Sequence, residues 1–480
     1  KYKVNKQPMV QPINNQTNIQ LTGVEKVHYI VYSTEEEKQK NENTQKEEVE
    51  TITVSKKQDL MDEQTLEISK KIEVNKAEGS IHLTSSEAIN GNAVQPLVGD
   101  PEVRGETLDS LRIKIGRAEN STRDIYWEYG NKGLANRHLL ISGKSGQGKT
   151  YFMQCLLLEK SKLGIPSIVI DYTEGFLPNQ LEQEFVEFLG EKLKQKIVYS
   201  EKLPINPFEK NIRDIGGIQL PESNTDVAER IKSVFAAVYK SLGIQQQNAI
   251  YEAILAGMEK YDKDMGLLKL KELLEEDGSS YAKTALSQIR PLIDRNPFSI
   301  ENEINWQDIV ESNGEVYIIQ LTGFPRDVQL MITEFILWDL WNYSVRYGNK
   351  NKPMPVIMDE AQNLDHTEKS PSARILTEGR KFGWSAWYAT QFLKSQLDAD
   401  ELARLQNASQ KVYFSPPEQE LSSIATSLSK DNHEKKYWEN QLATLKKGQC
   451  IVHGPVLKDN NVLSNPTVTI VDIIPLSERI

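Results

Sequence analysis

The sequence predicts an α/β fold centred on a parallel sheet, and three observations predict it. HLLISG (138–143) is a short apolar run that feeds directly into a glycine-rich turn. TYFMQCLLLEKSKLG (150–164) then carries helical spacing and ends on a glycine stop, and PSIVIDY (166–172) is a second apolar run of strand length. Strand, loop, helix and strand in that order open a parallel unit with its crossover helix. EVYIIQL (315–321), PVIMDE (355–360), WSAWYATQ (384–391) and KVYFS (411–415) continue the sheet, while GQCIVHG (448–454) and TVTIVDI (467–473) read as late strands covering an edge.

The remaining elements follow from the same patterns. LRIKIG (111–116) and DIYWEYG (124–130) alternate as strands around the polar turn ENST. Between 179 and 300 the apolar spacing is helical, from LEQEFVEFLGEKLKQK to YAKTALSQIRPLID, interrupted by PINPF (204–208). We therefore expect a core that starts at 103–178, a helical insertion at 179–312 and the rest of the core at 313–480. Residues 1–102 are expected to be a mostly disordered linker segment with a few short strands. KVHYIVYS (26–33) reads as one strand. The polar run 33–50 holds too few aliphatic residues to offset its ordering entropy. The chain begins KYKVNK without Met, which reads as a fragment of something longer.

Composition sets limits. At 480 residues with 38% apolar and 26% charged residues, a sizeable core is assured. A net charge of −11 argues against a non-specifically adhesive basic protein, yet leaves room for a local basic surface that binds nucleic acid. Cys155 and Cys450 stand far apart, suggesting neither a disulfide framework nor a zinc site and fitting a reducing cytoplasm. ITEFILWDLWNY (332–343) is interrupted by Glu334 and Asp339 and reads as a buried helix rather than a membrane span.

GKSGQGKT (143–150) matches the phosphate-loop pattern in full, between a strand and a helix. Gly143, Gly146 and Gly148 let the backbone of Ser145, Gln147 and their neighbours turn its N–H groups toward one anion, aided by the positive end of the following helix. Lys149 is expected on the β/γ-phosphates and the Thr150 hydroxyl on Mg²⁺, which makes ATP with Mg²⁺ the expected cofactors. Asp359 closes an apolar strand, where its carboxylate can hold Mg²⁺ through water, and Glu360 is placed to polarise the attacking water. Strand alternation would turn Glu360 away from Asp359.

Two runs, 166–172 and 315–321, separate the loop from Asp359. An additional strand together with a glutamate after the aspartate is the pattern of the additional-strand, catalytic-glutamate P-loop ATPases, a RecA-like core. In that group a polar residue on the neighbouring strand sits near the γ-phosphate; here it is Gln391. Arg380, ahead of that strand, is the candidate to reach a neighbouring subunit's ATP, with Arg374 and Arg137 as rivals. Asp171 either supports the site or caps a turn. His138 reads as a structural hydrogen bonder, and the six histidines are too scattered for a nuclease cluster.

MDEAQ, EGRKFG, the strand closing in ATQ and the INPF turn, taken with the loop, resemble the HerA/FtsK class of hexameric DNA-translocating ATPases. More narrowly, NRHLLISGKSGQGKTYFMQCLL, IDYTEGF, TEFILWDLWNY and ILTEGRKFGWSAWYATQFLK are similar to the DptH (DndH) family of phosphorothioation-dependent restriction proteins, from about residue 104 onward. That resemblance implies a homo-hexamer acting on double-stranded DNA with partner subunits DptF and DptG in bacterial defence; no membrane partner is expected, because no apolar run reaches the length of a span. The class often carries a compact barrel ahead of its ATPase, which residues 1–100 do not resemble. Residues 363–374, with Lys369, are the candidate pore loop. A coupling ATPase of a conjugation or secretion machine shares the motifs, and a nucleotide-gated assembly switch without translocation is a third reading.

Overall fold

The computed structural model describes residues 108–299, 304–458 and 462–480, together with two short antiparallel hairpins. One hairpin pairs Tyr2–Lys3 with Met9–Val10 and the other pairs Lys70–Asn75 with Ser80–Ser85. The chain divides into two compact units, 1–98 and 99–480, and both hairpins belong to the first. The strand expected at 26–33 and the linker at 33–50 lie outside the described residues.

The second unit opens with β1 (Ile113–Ala118), β2 (Asp124–Trp127) and β3 (Leu139–Ser142). Helix α1 (Lys149–Lys162) leaves the glycine-rich turn and returns the chain to β4 (Ser167–Asp171). Helix α2 (Gln183–Leu189) and β5 (Leu193–Ile197) follow, then a hairpin of β6 (Ile212–Ile215) and β7 (Ile218–Pro221). Four helices come next: α3 (Asn224–Val238), α4 (Ile244–Tyr261), α5 (Leu267–Asp277) and α6 (Ser280–Arg295). The chain re-enters through the short α7 (Trp306–Val310), then β8 (Val316–Gln320), the long α8 (Arg326–Tyr347) and β9 (Met354–Met358). It closes with α9 (Pro371–Glu378), β10 (Trp384–Thr390), α10 (Ala399–Gln406) and β11 (Gln410–Tyr413), then α11 (Glu418–Leu428), α12 (Asn432–Thr444), β12 (Gln449–Gly454) and β13 (Thr467–Asp472).

Eleven strands form one sheet, in the order β2-β1-β13-β12-β11-β3-β10-β9-β4-β8-β5. From β11 to β5 every neighbouring pair is parallel, whereas β12, β13, β1 and β2 pair antiparallel. Apart from the half-exposed edge strand β5, the parallel strands are largely buried on both faces, which is why they read as continuous apolar runs. Val356 and Met358 of β9 pack with α8 and the helical insertion, and Ile357 between them packs with α1. Pro355 has no N–H to give, and β4 pairs with β9 only from Val356 onward.

Three differences from the sequence reading have local causes. The segment LEQEFVEFLGEKLKQK is α-helical only to Leu189; Gly190, at φ 50°, ends the α-helix, a single 3-10 turn follows over Gly190–Lys192, and residues 193–197 become the edge strand beside β8. The β6–β7 hairpin turns on Gly216 and Gly217, both at positive φ, inside what read as a helical stretch. The late strands do more than cover an edge, since β13 also hydrogen-bonds to β1 and joins the first hairpin to the sheet. Helix α8 is buried nearly all round, Glu334 included, as 332–343 suggested, and no helix among the described residues is long and apolar enough to cross a membrane.

Candidate active site

The phosphate-loop strand β3 sits between β11 and β10, and β10 in turn separates it from β9. The additional strand is therefore β10, not either of the two that intervene in the sequence: β4 and β8 lie beyond β9. Because β3, β10 and β9 are parallel, their carboxyl ends share one edge, where ligands bind in open α/β sheets.

A cleft of about 1030 Å³ opens at that edge. Ser145, Gly146, Gly148, Lys149 and Thr150 contribute one part of its lining, and Asp359, Glu360 and Gln391 another. Gly143 and Gln147 belong to the loop without lining the cleft. Gly146 and Gly148 stand at φ 77° and 97°, yet a Cβ on either would meet nothing within 4 Å. Glycine is thus required by the backbone's left-handed turns, and the concavity beside them stays open. Gly148 offers α1 no side-chain cap, so the N–H groups of the first turn face the cleft uncapped.

Lys149 is buried, and its Nζ donates to Gly143 O at 2.8 Å and Lys144 O at 3.2 Å. Two of three ammonium protons are thereby spoken for, leaving one for a ligand. Burial lowers the Lys149 pKa, partly countered by Asp359 and Glu360. Across the cleft, burial pushes the Asp359 carboxyl up to about 6, against the pull of Lys149. A desolvated carboxylate of this kind gains from a cation. Among the described residues no cluster of three or more His, Cys, Asp or Glu could hold a metal by itself. That suits Mg²⁺, which takes one or two protein oxygens and fills its shell with water and phosphate. Thr150 and Asp359 are the oxygens present for it, so the donor set fits ATP with Mg²⁺.

Glu360 departs from the strand alternation expected of it. Strand β9 ends at Met358, and Glu360 takes a left-handed conformation, φ 51° and ψ 39°, that places it on the same cleft as Asp359. A non-glycine residue holds that conformation only where its surroundings insist. Tyr172 Oη and Asn363 Nδ2 donate to its carbonyl at 2.8 and 2.9 Å, and its N–H donates to Asp359 Oδ1 at 2.8 Å. Its carboxylate is gripped by two amides, Gln391 Nε2 on Oε1 and Gln362 Nε2 on Oε2. Thr390 Oγ1 donates to the Gln362 carbonyl oxygen and so orients that amide.

Asp171 resolves as a turn cap. It is buried, accepts from the Thr173 and Phe176 N–H groups and from Gln320 Nε2, and so shapes the loop whose Thr173 and Gly175 line the cleft. His138 is structural, its Nδ1 accepting from Ala386 N–H at 3.0 Å, and burial lowers its pKa to about 4.

None of the three candidate arginines reaches this chain's cleft. Arg380 lies ahead of β10, at the sheet edge away from Gln391 and roughly 20 Å along the strand, and donates to Ala135 O at 2.6 Å. Arg137 donates to the carbonyls of Tyr129, Gly130 and Lys350, and Arg374 lies 5.1 Å over the Trp338 ring. In the candidate pore loop only Thr367, Glu368 and Lys369 form an exposed run, between buried His366 and Ser370, which caps α9.

The sequence reading missed Gln362 and the cleft's far side, where Tyr151, Gln180, Glu182, Lys447, Gly448, Ile473 and Pro475 stand. Gln362 lies inside MDEAQ and was legible as a second amide. The far side comes from segments some 300 residues apart with no local signature.

A complete phosphate loop, a half-buried aspartate and an amide-held glutamate at one sheet edge define a P-loop ATPase. Residues 113–340 match the family model described as the central domain of helicase HerA. The match takes in the phosphate loop and ends ahead of Asp359, Glu360 and Gln391. The DNA double-strand break repair helicase HerA of Saccharolobus solfataricus is 24% identical over 392 residues, covering 76% of this chain and 72% of its own. The structure of VirB4 of Thermoanaerobacter pseudethanolicus superposes with a TM-score of 0.57 at 16% identity, over 75% of this chain and 96% of that one. The bacterial conjugative coupling protein TrwB superposes at 0.51 with 13% identity, over 78% of this chain and 92% of that one.

Proposed function

We propose that this ATPase hydrolyses ATP to move or remodel double-stranded DNA as a homo-hexamer, inside a bacterial phosphorothioation-dependent restriction complex with DptF and DptG. The observation that carries turnover is the Glu360 carboxylate held between Gln391 and Gln362 beside the phosphate loop. In this reading Lys149 and the amides of Gly146–Thr150 hold the β- and γ-phosphates, and Thr150 and Asp359 hold Mg²⁺. The metal neutralises charge in the transfer. Glu360 takes the proton of the attacking water, and the two amides fix the direction of its carboxylate. An arginine from a neighbouring copy completes the charge stabilisation. Arg380 is the candidate carried from the sequence, and to serve it must exchange its bond to Ala135 O for one across the subunit boundary.

The similarity to a helicase named for DNA double-strand break repair supports DNA as the substrate, and the segments similar to DptH support the defence setting. The likeness to a conjugative coupling protein keeps that assignment as the second reading. ATP turnover is measured with and without duplex DNA at low salt, alongside displacement of a third strand from a triplex. Stimulated turnover with displacement supports the motor; turnover indifferent to DNA sinks it in favour of the assembly switch. Co-purification with DptF and DptG, and restriction in cells of DNA lacking backbone sulfur, separates the defence complex from a coupling ATPase.

A further inference from the structure

The direction of the bound nucleotide follows from the sheet. Glu360 and Gln391 follow β9 and β10, on one side of the phosphate-loop strand β3. On the other side lie β11, β12 and β13. Strand β12 is antiparallel to β11 and β13 antiparallel to β12, so the start of β12 and the end of β13 reach the same edge as the phosphate loop. Gly448 and Ile473 emerge there and line the same cleft. With the γ-phosphate turned toward Glu360, the nucleoside must extend toward β12 and β13.

We infer that the chain's own C-terminal segment is the nucleoside half of the ATP site: Tyr151, Ile473 and Pro475 cover the base, and Lys447 faces the phosphate nearest the sugar. This rests on the ATPase reading above. A tyrosine ring beside an isoleucine and a proline is an apolar surface of the kind that flat bases stack on. Lys447 is exposed on the turn before β12 and is, with Lys149, one of two cations among the cleft's lining residues. Lysine suits this work as a point charge on a flexible stem.

The segment is held in place independently of any ligand. Leu476 N–H donates to Tyr151 Oη at 2.9 Å, and Arg479 donates to Glu159 Oε1 at 3.1 Å, while Lys162 Nζ donates to Arg479 O. Tyr151, Glu159 and Lys162 are spaced along one side of α1, so the end of the chain lies as a strap along the phosphate-loop helix. The turn bearing Lys447 is tied to it, since Ile473 N–H donates to Gly448 O at 2.8 Å and Gln449 Nε2 to Asp472 Oδ1 at 2.8 Å.

The test compares ATP with inorganic tripolyphosphate as competitors for a fluorescent ATP analogue, using Ile473→Ala/Pro475→Ala and, separately, Lys447→Ala. The expected result is that the double variant binds ATP on the order of 10-fold more weakly while tripolyphosphate competes as it does against the unaltered chain. Lys447→Ala, which removes an exposed side chain and no packing, is expected to weaken ATP and ADP more than adenosine, with an effect that fades at high salt. ATP affinity unchanged in both variants overturns the assignment. So does an equal loss for ATP and tripolyphosphate in a double variant of unaltered melting temperature. Tripolyphosphate failing to bind the unaltered chain would instead overturn the phosphate-loop reading itself.

Discussion

The two flanks of the phosphate-loop strand are built differently. On the β10–β9 side, strands buried on both faces end in Asp359, Glu360 and Gln391, and the chemistry comes from residues 32 positions apart or less (391 − 359 = 32). On the β12–β13 side, antiparallel strands bring residues from 447 to 475 against a helix that begins at 149. The first flank is made for bond breaking, because its polar groups are mutually held and partly desolvated. The second is more open, with Gln180, Glu182, Lys447 and Pro475 all exposed, and in the inference above it serves for gripping. An ATPase divided in this way can lose turnover without losing affinity, or the reverse.

The largest effects should come from the boundary between the flanks. Lys149→Ala removes the one buried ammonium that both halves depend on, and should cut nucleotide affinity and turnover together by on the order of 10²–10³-fold, read by equilibrium binding and phosphate release. Survival of both would break the division at its centre. Glu360→Gln should then separate the flanks: turnover falls on the order of 10²–10⁴-fold while ATP affinity stays within a few-fold. If affinity fell as far as turnover, Glu360 would be a structural group in a strained turn rather than a base.

These two flanks were not equally legible in the sequence. A phosphate loop is contiguous because successive N–H groups must converge on one anion, so GKSGQGKT announced itself, and PVIMDE announced the carboxylate at a strand end. Strand order was less accessible. The two apolar runs between the motifs looked like intervening strands, yet the crossover through α8 places them beyond β9, and β10 takes the intervening position. The turn at Glu360 could not be read either, since alternation assumes that β9 continues past Met358. The far flank was hidden for a different reason. Lys447, Ile473 and Pro475 are ordinary residues that acquire a role only through the antiparallel pairing of β12 with β11 and of β13 with β12, and no local spacing encodes that.

A smaller effect sharpens the chemistry flank. Gln362→Leu keeps the volume but takes away one of the two amides on the Glu360 carboxylate, and should lower kcat by about 10–100-fold with ATP affinity nearly unchanged, in steady-state assays. Gln391→Leu should act in the same direction, and the double variant should cost less than the product of the two, because both amides serve one carboxylate. Independent, multiplying effects would show that Gln391 works directly on the γ-phosphate or the attacking water, the two partners open to it from the sequence.

The smallest effect is one of stability, and it concerns how the chemistry flank is mounted on α8. Glu334 is fully buried in that helix and accepts the Asp365 N–H at 3.0 Å, just past the Glu360 turn. Burial raises its pKa to about 8 from a reference near 4.5, opposed by that backbone bond and reinforced by the charge of Asp365. The folded chain therefore keeps a proton that the unfolded chain has released, and stability falls as pH rises from about 4.5 through 8, by at most about 1.4 kcal/mol per pH unit. His138 and His453, both lowered to about 4, and His366, also lowered, act with the opposite sign. Their stability contribution is full above the unfolded histidine value near 6.5 and is lost as pH falls below it. From pH 7 to 8 the histidines are largely spent, but buried Lys160, lowered well below its ordinary value, and Lys149 and Lys411, also lowered, gain stability as pH rises, so the glutamate is read as the difference between two proteins. There, denaturant titrations should show a slope of stability against pH that is more negative in the unaltered chain than in Glu334→Gln, whose amide oxygen can still accept from Asp365. Equal slopes in the two proteins would mean that Glu334 is ionised in the fold, and that the turn bearing Glu360 is anchored on a charge rather than on a neutral acid.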